Sequence, residues 1–142
     1  MKEKEIRKLL LQYNRVLNKL YDGGVIRTSK LVSEYGEYVV CKKLGLERTK
    51  STVAIGYDAV DKWGKKYEIK ARKENEQNRP TLFPISDIQL KKSDYIVYVG
   101  FATDWTLEKL LKIPTKILKP YKNMRIGLTK ELEKYDILKR SR

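Results

Sequence analysis

The stretch GYDAVDKWGKKYEIKAR, residues 56–72, decides the fold of this chain because two runs of strand-type residues flank one turn. The first run covers residues 52–60 and the second covers residues 65–72, and both mix apolar, aromatic and alternating polar side chains. The four residues between them, 61–64, read DKWG, and glycine at the last position suits the positive φ of a hairpin loop. The sequence therefore predicts a β-hairpin in the middle of the chain.

The predicted hairpin has charged residues where a core strand would be apolar. Side chains alternate between the faces of a strand, so Glu68 and Lys70 point the same way, and the turn brings Asp58 near Glu68. Neighbouring carboxylates repel each other unless a cation neutralises them, and a hard divalent ion such as Mg²⁺ does so through oxygen ligands. The carbonyl of Ile69 would add an oxygen, and Lys70 would orient water or offset phosphate charge. Phosphodiester hydrolysis requires groups of these kinds.

Other interpretations remain open for the same residues. Asp61 competes with Asp58 as the first carboxylate, although a turn corner favours Asp for hydrogen bonds to its own backbone. Glu68 and Lys70 are also explained as a surface ion pair, which contributes little to stability. Arg72 continues the same face of the strand, where it serves either as a phosphate contact or as surface charge.

The charge balance favours a polyanionic partner. The chain has 142 residues, which suits one domain with one core, and its 32 Lys and Arg outnumber 18 Asp and Glu to give a net charge of +14. So strong a positive field in a small domain is typical of proteins that bind nucleic acid. A Lys-rich thermophilic surface is the alternative, but such surfaces usually gain Glu together with Lys.

Residue types that are missing or rare limit the kinds of catalytic and metal site that the chain can form. The chain has no histidine, which excludes Ser-His-Asp triads, His-ligated zinc and histidine general bases. Its one cysteine, Cys41, has no disulfide partner, and its place on the apolar face of a predicted helix favours a core thiol. The N-terminal segment mixes charges among its apolar residues, unlike a secretory signal, and no apolar run is long enough to span a bilayer. We therefore expect a cytoplasmic protein that does not associate with membranes.

The rest of the chain predicts a mixed α/β domain. The predicted helices cover residues 3–21, 29–44 (ended by Gly45), a short stretch around Gln89, 115–121, and 129–140 with Thr129 as the N-cap. A further strand is predicted over residues 94–102, and residues 73–86 are predicted to form a loop. The pattern of residues 104–114 allows a strand or a helix, and we favour a strand that ends at Pro114. The run DYIVYVGFA at 94–102 is almost wholly apolar, which is typical of a strand buried on both faces. This order predicts a central mixed β-sheet flanked by helices.

The hairpin residues also match a known signature. GYDAVD followed by YEIKAR resembles the D-x(n)-(D/E)-x-K motif of the PD-(D/E)xK nuclease superfamily, which has the restriction-endonuclease-like fold. The resemblance implies that Asp58 and Glu68 bind a metal ion and that Lys70 assists the attacking water. Tyr57 stands where the family usually has proline.

A helix before the hairpin often contributes another acidic residue in this superfamily. The segment SEYGEYVVCKKLGL, residues 33–46, resembles that helix, and Glu37 would then complete the metal site. Glu34 is the rival, one turn earlier. The structural alternative for Glu37 is a surface ion pair with Lys42 or Lys43.

The resemblance implies an activity, a cofactor and partners. We expect one nuclease domain over residues 1–142, with a catalytic core at 29–102, that cleaves DNA with Mg²⁺ or, in its place, Mn²⁺. A small nuclease that cuts both strands usually works as a homodimer, and the helix within residues 1–24 is the candidate interface. The candidate DNA contacts are Arg72, Arg79, Lys91 and Lys92. The alternatives are a Holliday-junction-resolvase-like enzyme, a non-catalytic basic DNA-binding module of the same fold, and an RNA-associated protein, which would leave the acidic hairpin unexplained.

Overall fold

A β-sheet and mostly short helices build the part of the chain that the structure describes. The structure is a computed structural model, and it describes residues 1–51, 56–74, 82–121, 125–127 and 130–140. The helices are α1 (Glu3–Asp22), α2 (Leu31–Leu44), α3 (Asp87–Lys92), α4 (Thr115–Leu118), α5 (Lys130–Glu133) and α6 (Ile137–Arg140), with a 3₁₀ turn at Lys119–Tyr121. The strands are β1 (Glu47–Arg48), β2 (Ala59–Val60), β3 (Lys66–Lys73), β4 (Leu82–Pro84), β5 (Tyr95–Phe101), β6 (Leu107–Pro114) and β7 (Arg125–Gly127).

The larger sheet has five strands in the order β1-β2-β3-β5-β6, and β4 pairs with β7 in a separate sheet. β3 and β5 are parallel, from Tyr67 opposite Tyr95 to Lys73 opposite Phe101, whereas the other pairs are antiparallel. Parallel neighbours need a crossover connection, and this one contains β4 and α3. The predicted mixed sheet is confirmed, with β3 in its centre.

Each face of this sheet has its own apolar core. On one face the buried residues include Val40 and Cys41 of α2 with Tyr67, Ile69, Ala71, Val97, Val99 and Phe101 of the sheet. On the other face they include Leu90, Leu118 and Leu132 of the short helices with Ile96, Tyr98, Leu111 and Ile113 of the sheet. Helices therefore flank the sheet on both faces, as predicted. Cys41 is a core thiol, and burial raises its pKa to about 11.

α2 lies close against the sheet because residue 36 is glycine. A Cβ at Gly36 would overlap the Cβ of Ala71 and would lie 3.1 Å from Cγ1 of Val99. The helix ends at Gly45, where φ is 65°, so the predicted C-terminal stop is confirmed. The close contact at Gly36 holds the next residue, Glu37, beside β3.

The first strand of the predicted hairpin is much shorter than expected. Of residues 52–60, only Ala59–Val60 form a strand among the described residues, and residues 52–55 lie outside them. Gly56 has a φ of 93°, a conformation that favours glycine, and a Cβ there would lie 2.7 Å from the Cβ of Lys92. The backbone at Gly56 therefore lies against Lys92 of α3.

The predicted loop at 73–86 contains a strand. Leu82–Pro84 pair with Arg125–Gly127 in the two-stranded sheet. The two segments are far apart in the chain, so the local pattern of polar residues and prolines gave no indication of this pairing.

The C-terminal helix predicted over residues 129–140 is interrupted. Between α5 and α6, the buried Asp136 forms an isolated β-bridge with Leu111. The Asp136 carboxylate accepts hydrogen bonds from the N–H groups of Leu110 at 3.3 Å and Leu138 at 3.1 Å. Contact with the sheet therefore overrides the helical pattern, and the predicted N-cap, Thr129, lies outside the described residues.

The other predicted helices and strands are present with small shifts at their ends. The helix predicted over residues 3–21 is α1, and the strands predicted over 65–72, 94–102 and 104–114 are β3, β5 and β6. None of the described helices combines the length and the apolar character that crossing a bilayer requires.

Candidate active site at the edge of the central sheet

The candidate site lies where the chain separates from the edge of β3. Ala59 is paired with Tyr67, and the N–H of Asp58 still donates to the Tyr67 carbonyl at 2.7 Å. Two residues further along β3, the Oδ2 of Asp58 accepts the N–H of Ile69 at 2.7 Å. Because the N–H and C=O of one strand residue point to the same side, the Ile69 carbonyl also points to this edge. A carboxylate and an exposed main-chain edge therefore meet here.

An open cleft of about 370 Å³ covers this edge. Among its lining residues are Glu37, Asp58, Glu68, Ile69, Lys70 and Arg72. The four residues predicted to be catalytic thus share one cleft with the predicted carbonyl ligand and with one predicted DNA contact. Lys30, before α2, and Pro84, in β4, also line the cleft.

Glu68 is buried between two hydrogen-bond donors. It is 7% exposed, and its Oε1 accepts from Nζ of Lys70 at 2.9 Å and from Nε2 of Gln89 at 2.6 Å. Gln89 is itself fixed at the start of α3, because its Oε1 accepts the N–H of Ser86 at 3.0 Å. The N–H of Gln89 donates in return to Oγ of Ser86 at 3.2 Å, which completes a capping box.

The contact between Gln89 and Glu68 was not predicted from the sequence. Ser86 followed three residues later by Gln89 is a recognisable signal for a helix start. The signal places Gln89 in the first turn of α3, but it does not reveal that this turn lies beside β3. Only the crossover between β3 and β5 brings the two together.

Asp58 has the most perturbed carboxyl of the cleft. Burial, together with the negative charges of Glu68 and Glu37, raises its pKa to about 7. The hydrogen bond from Ile69 and the positive charge of Lys70 act in the opposite direction but do not compensate. An additional cation in the cleft would therefore favour the charged form of Asp58.

Asp61, the alternative first carboxylate, belongs to the hairpin turn. Its Oδ1 accepts the N–H groups of Trp63 and Lys65, each at 2.9 Å, and its Oδ2 accepts the hydroxyl of Tyr67 at 3.0 Å. Both carboxylate oxygens of Asp61 therefore stabilise the turn, and Asp58 is the one that lines the cleft.

Glu34 is the centre of a buried ion cluster with two arginines. Its Oε2 accepts the backbone N–H of Arg27 at 2.8 Å, Nε of Arg27 at 3.2 Å and Nη2 of Arg48 at 2.6 Å. Its Oε1 accepts the hydroxyl of Thr28 at 3.3 Å. Burial acts to raise the pKa of Glu34, but the hydrogen bonds and charges of the arginines together bring it below its ordinary value. Glu34 thus uses both oxygens within the protein.

Glu37 joins the same cluster through one oxygen. Its Oε2 accepts from Nη2 of Arg27 at 2.5 Å and from Nη2 of Arg48 at 3.3 Å. Burial raises the pKa of Glu37, and the charges of the two arginines offset this only in part. No described residue hydrogen-bonds to its Oε1. Of the two rival glutamates, Glu37 is therefore the one with an oxygen available to a ligand.

The ion-pair partners of Glu37 differ from the predicted ones. The alternative pairing with Lys42 or Lys43 is wrong, since Glu37 faces Arg27 and Arg48, and Lys42 lies over the ring of Tyr38. The two arginines come from segments on either side of α2, so their approach depends on the tertiary structure.

The predicted DNA contacts fall into three groups. Arg72 lines the cleft and donates to the carbonyl of Ala71 at 2.9 Å. Lys91 and Lys92 do not line it; Lys91 pairs with Asp87 at 2.7 Å on the surface of α3. Arg79 lies outside the described residues.

The donor set has the chemistry that a hard divalent cation prefers. Asp58, Glu68 and Glu37 supply carboxylate oxygens, and Ile69 directs a carbonyl to the same edge. Among the described residues, however, no three Asp, Glu, His or Cys side chains lie close enough together to hold a metal ion. Glu68 is paired with Lys70, and Glu37 is paired with Arg27. The residues therefore fit Mg²⁺ by chemical type, and the raised pKa of Asp58 indicates that a cation would stabilise them.

Comparison with known proteins does not identify a family for this chain. The chain matches no model of a known protein family, and no curated protein shows significant sequence similarity to it. A functional assignment therefore depends on the site itself.

Proposed function

We propose that this chain is a magnesium-dependent DNA endonuclease of the PD-(D/E)xK superfamily, with a restriction-endonuclease-like fold. The observation that carries the proposal is that Asp58, Glu68 and Lys70 line one cleft in which burial and the charge of Glu68 raise the pKa of Asp58 to about 7. The order of the elements supports it. An acidic residue on α2 is followed by Asp58 beside β2, by Glu68 and Lys70 on β3, and by the parallel strand β5.

Four oxygen donors would hold the ion: one each from Asp58, Glu68 and Glu37, and the carbonyl of Ile69. When bound, Mg²⁺ or Mn²⁺ neutralises the carboxylates, polarises the scissile phosphate and lowers the pKa of water. Gln89 keeps Glu68 in place through the hydrogen bond to its Oε1 at 2.6 Å. Asp58 is held by the N–H of Ile69, so both carboxylates have defined orientations before a ligand arrives.

Lys70 is the residue that would orient the attacking water. Its side chain is 14% exposed, and its Nζ lies 2.9 Å from Oε1 of Glu68. An ammonium has three N–H donors, so one fixes Lys70 to Glu68 and the others are available to a water and to a phosphate oxygen. Arg72 and Lys30 line the same cleft and would add positive charge for the DNA backbone.

The direct test is cleavage of linear duplex, supercoiled plasmid and four-way-junction DNA by the whole chain in MgCl₂, MnCl₂ or EDTA. We expect cleavage in both metals and none in EDTA. Asp58→Ala and Lys70→Ala should each lower the rate by roughly 10²-fold or more, because each removes a group that acts at the reacting phosphate. Lys139→Ala is the matched control, since Lys139 pairs with Glu133 at the surface near the C-terminus. This variant should cut as fast as the wild type.

The same experiment separates the alternatives. Cleavage that is strongest on the four-way junction would identify a resolvase-like enzyme. Salt-sensitive DNA binding without cleavage in either metal would replace the enzyme by a non-catalytic DNA-binding module. Metal-dependent cleavage that survives in Asp58→Ala and in Lys70→Ala would show that this cleft is not the active site.

A further inference from the structure

α1 has an apolar face that no other described element covers. The helix is 20 residues long, and Leu17 is its only buried residue. The exposed fractions of Ile6, Leu9, Tyr13 and Val16 are 43, 50, 49 and 56%. α1 also has no extensive contact with any other described element. A contiguous exposed apolar stripe on a soluble domain usually marks an interaction surface.

The spacing of the stripe indicates the shape of the partner. Steps of three and four residues alternate along it, which is the a and d pattern of a heptad repeat, through Ile6, Leu9, Tyr13, Val16 and Leu20. A seam of this kind packs against another helix with the same repeat. Leu10, which is 56% exposed, lies beside the seam and widens it.

The residues that flank the seam favour a second copy of the same helix in the opposite direction. Glu5, Gln12 and Lys19 follow each other at seven-residue intervals, so they occupy one edge of the seam. In a symmetric antiparallel pair this edge faces the same edge of the other helix, so Glu5 faces Lys19 of the second copy. A parallel pair would place Glu5 beside Leu10 instead. The opposed helix dipoles add to this preference.

We propose that α1 forms a symmetric antiparallel pair with α1 of a second copy of this chain, stabilised by two Glu5–Lys19 ion pairs. Such an interface is isologous, because each copy contributes the same residues. The inference goes beyond the proposed nuclease function and does not depend on it, since the oligomeric state is measured without any substrate.

The first test measures the mass of the full chain by light scattering and sedimentation over a range of concentrations. We expect a dimer for the wild type. Leu9→Lys places a charge in the seam and should weaken the dimer by roughly tenfold or more, about 1.4 kcal/mol. Asn18→Lys is the matched control, because it adds the same charge on the opposite side of the helix and should leave the dimer intact. The melting temperature of both variants checks that the rest of the domain is folded.

The second test examines the direction of the helices by charge exchange. Glu5→Lys and Lys19→Glu should each weaken the dimer by roughly threefold to tenfold, and the double variant should recover most of the loss. Glu5 also accepts the N–H of Lys2 at 3.3 Å. The double variant lacks that hydrogen bond too, so its recovery measures the ion pair with the second copy.

Three results would overturn the inference. The first is a wild type that stays monomeric at every concentration. The second is a double variant that loses the sum of both single effects, which excludes the antiparallel register. The third is a monomer that sediments with phosphatidylserine vesicles through the same stripe, because α1 would then bind a membrane surface instead of a second copy.

Discussion

Asp58 shows how one residue connects the fold to the proposed chemistry. Its main chain still belongs to the hairpin, whereas its side chain replaces a main-chain acceptor for the N–H of Ile69. This position places a carboxylate in a buried site next to Glu68. The resulting rise of its pKa to about 7 affects both stability and ligand binding.

The stability of the metal-free protein should fall as the pH rises through the range in which Asp58 titrates. In the unfolded chain this carboxyl ionises near 3.8, and in the folded chain near 7. Between these values the folded chain holds a proton that the unfolded chain has released, so the free energy of unfolding decreases as the pH increases. Asp58→Asn removes this dependence. We expect it to melt roughly 5 °C above the wild type at pH 8 in EDTA, and at the same temperature near pH 4.

The effect of a divalent metal on the melting temperature can be measured for the same two proteins, the wild type and Asp58→Asn. At pH 8, MgCl₂ should raise the melting temperature of the wild type, because the ion favours the charged carboxylate, and it should have little effect on Asp58→Asn. Equal metal stabilisation of both proteins would place the ion elsewhere. The melting temperatures of the wild type and Asp58→Asn are also compared in EDTA at pH 4 and at pH 8. If their difference is the same at both pH values, the raised pKa of Asp58 is contradicted.

Gln89 is expected to tune the metal affinity through Glu68. Gln89→Ala removes the donor at 2.6 Å and leaves Glu68 Oε1 with Lys70 alone. Residues that orient a metal ligand typically change the affinity by about 10–100-fold. The MgCl₂ concentration for half-maximal cleavage should therefore rise in this range. Ile88→Ala, at an exposed neighbouring position of α3, is the control, and an unchanged Mg²⁺ dependence in Gln89→Ala would exclude the positioning role.

At the scale of elements, the approach of α2 to the sheet determines where Glu37 lies. The contact depends on Gly36, and the ion cluster of Arg27, Glu34 and Arg48 connects the helix to the segments before and after it. Removing one partner of such a buried cluster leaves a charge without compensation. The helix is therefore held at two points, one apolar and one ionic.

Gly36→Ala should destabilise the domain even though alanine favours helices. Alanine is preferred over glycine in a helix by about 1 kcal/mol, but a Cβ here overlaps the Cβ of Ala71. Overpacking of a core contact costs roughly 1–3 kcal/mol, so we expect a net loss of stability in urea unfolding. Lys43→Ala, at an exposed site of the same helix, should change the stability little. A Gly36→Ala variant that is more stable than the wild type would contradict the close packing of α2.

At the scale of the whole molecule, the net charge of +14 should make the proposed DNA binding strongly dependent on salt. A protein with about six phosphate contacts loses roughly 10³ in affinity between about 50 and 200 mM salt. We expect binding in EDTA to follow this trend. Arg72→Ala should reduce the slope of log K against log[salt] by about 1, and Lys139→Ala should not change it. A salt-independent affinity would exclude a phosphate-dominated interface.

The proposed α1 pair would join two clefts in one particle. A symmetric dimer presents two copies of Asp58, Glu68 and Lys70, one for each strand of a duplex or junction. If both proposals hold, Leu9→Lys should shift the products from double-strand breaks towards nicks.

Local patterns in the sequence predicted most of the individual elements. Each of these patterns lies within one short stretch of the sequence. They are the apolar spacing of α1 and α2, the turn glycine at position 64 and the apolar run of β5. The alternation along β3 also predicted that Glu68 and Lys70 share a face. The acidic hairpin was therefore recognisable from the order of its residues alone.

Contacts between distant segments were decided only by the tertiary structure. They include the pairing of β4 with β7, the position of Gln89 beside Glu68, the arginine partners of Glu37 and the bridge that interrupts the C-terminal helix at Asp136. The sequence by itself determined the helices α1 and α2 and the strands β3 and β5, because those preferences act within a few positions of the chain. Which charges become buried neighbours was decided by the crossover from β3 to β5 and by the close packing of α2, because burial depends on how the elements pack in space.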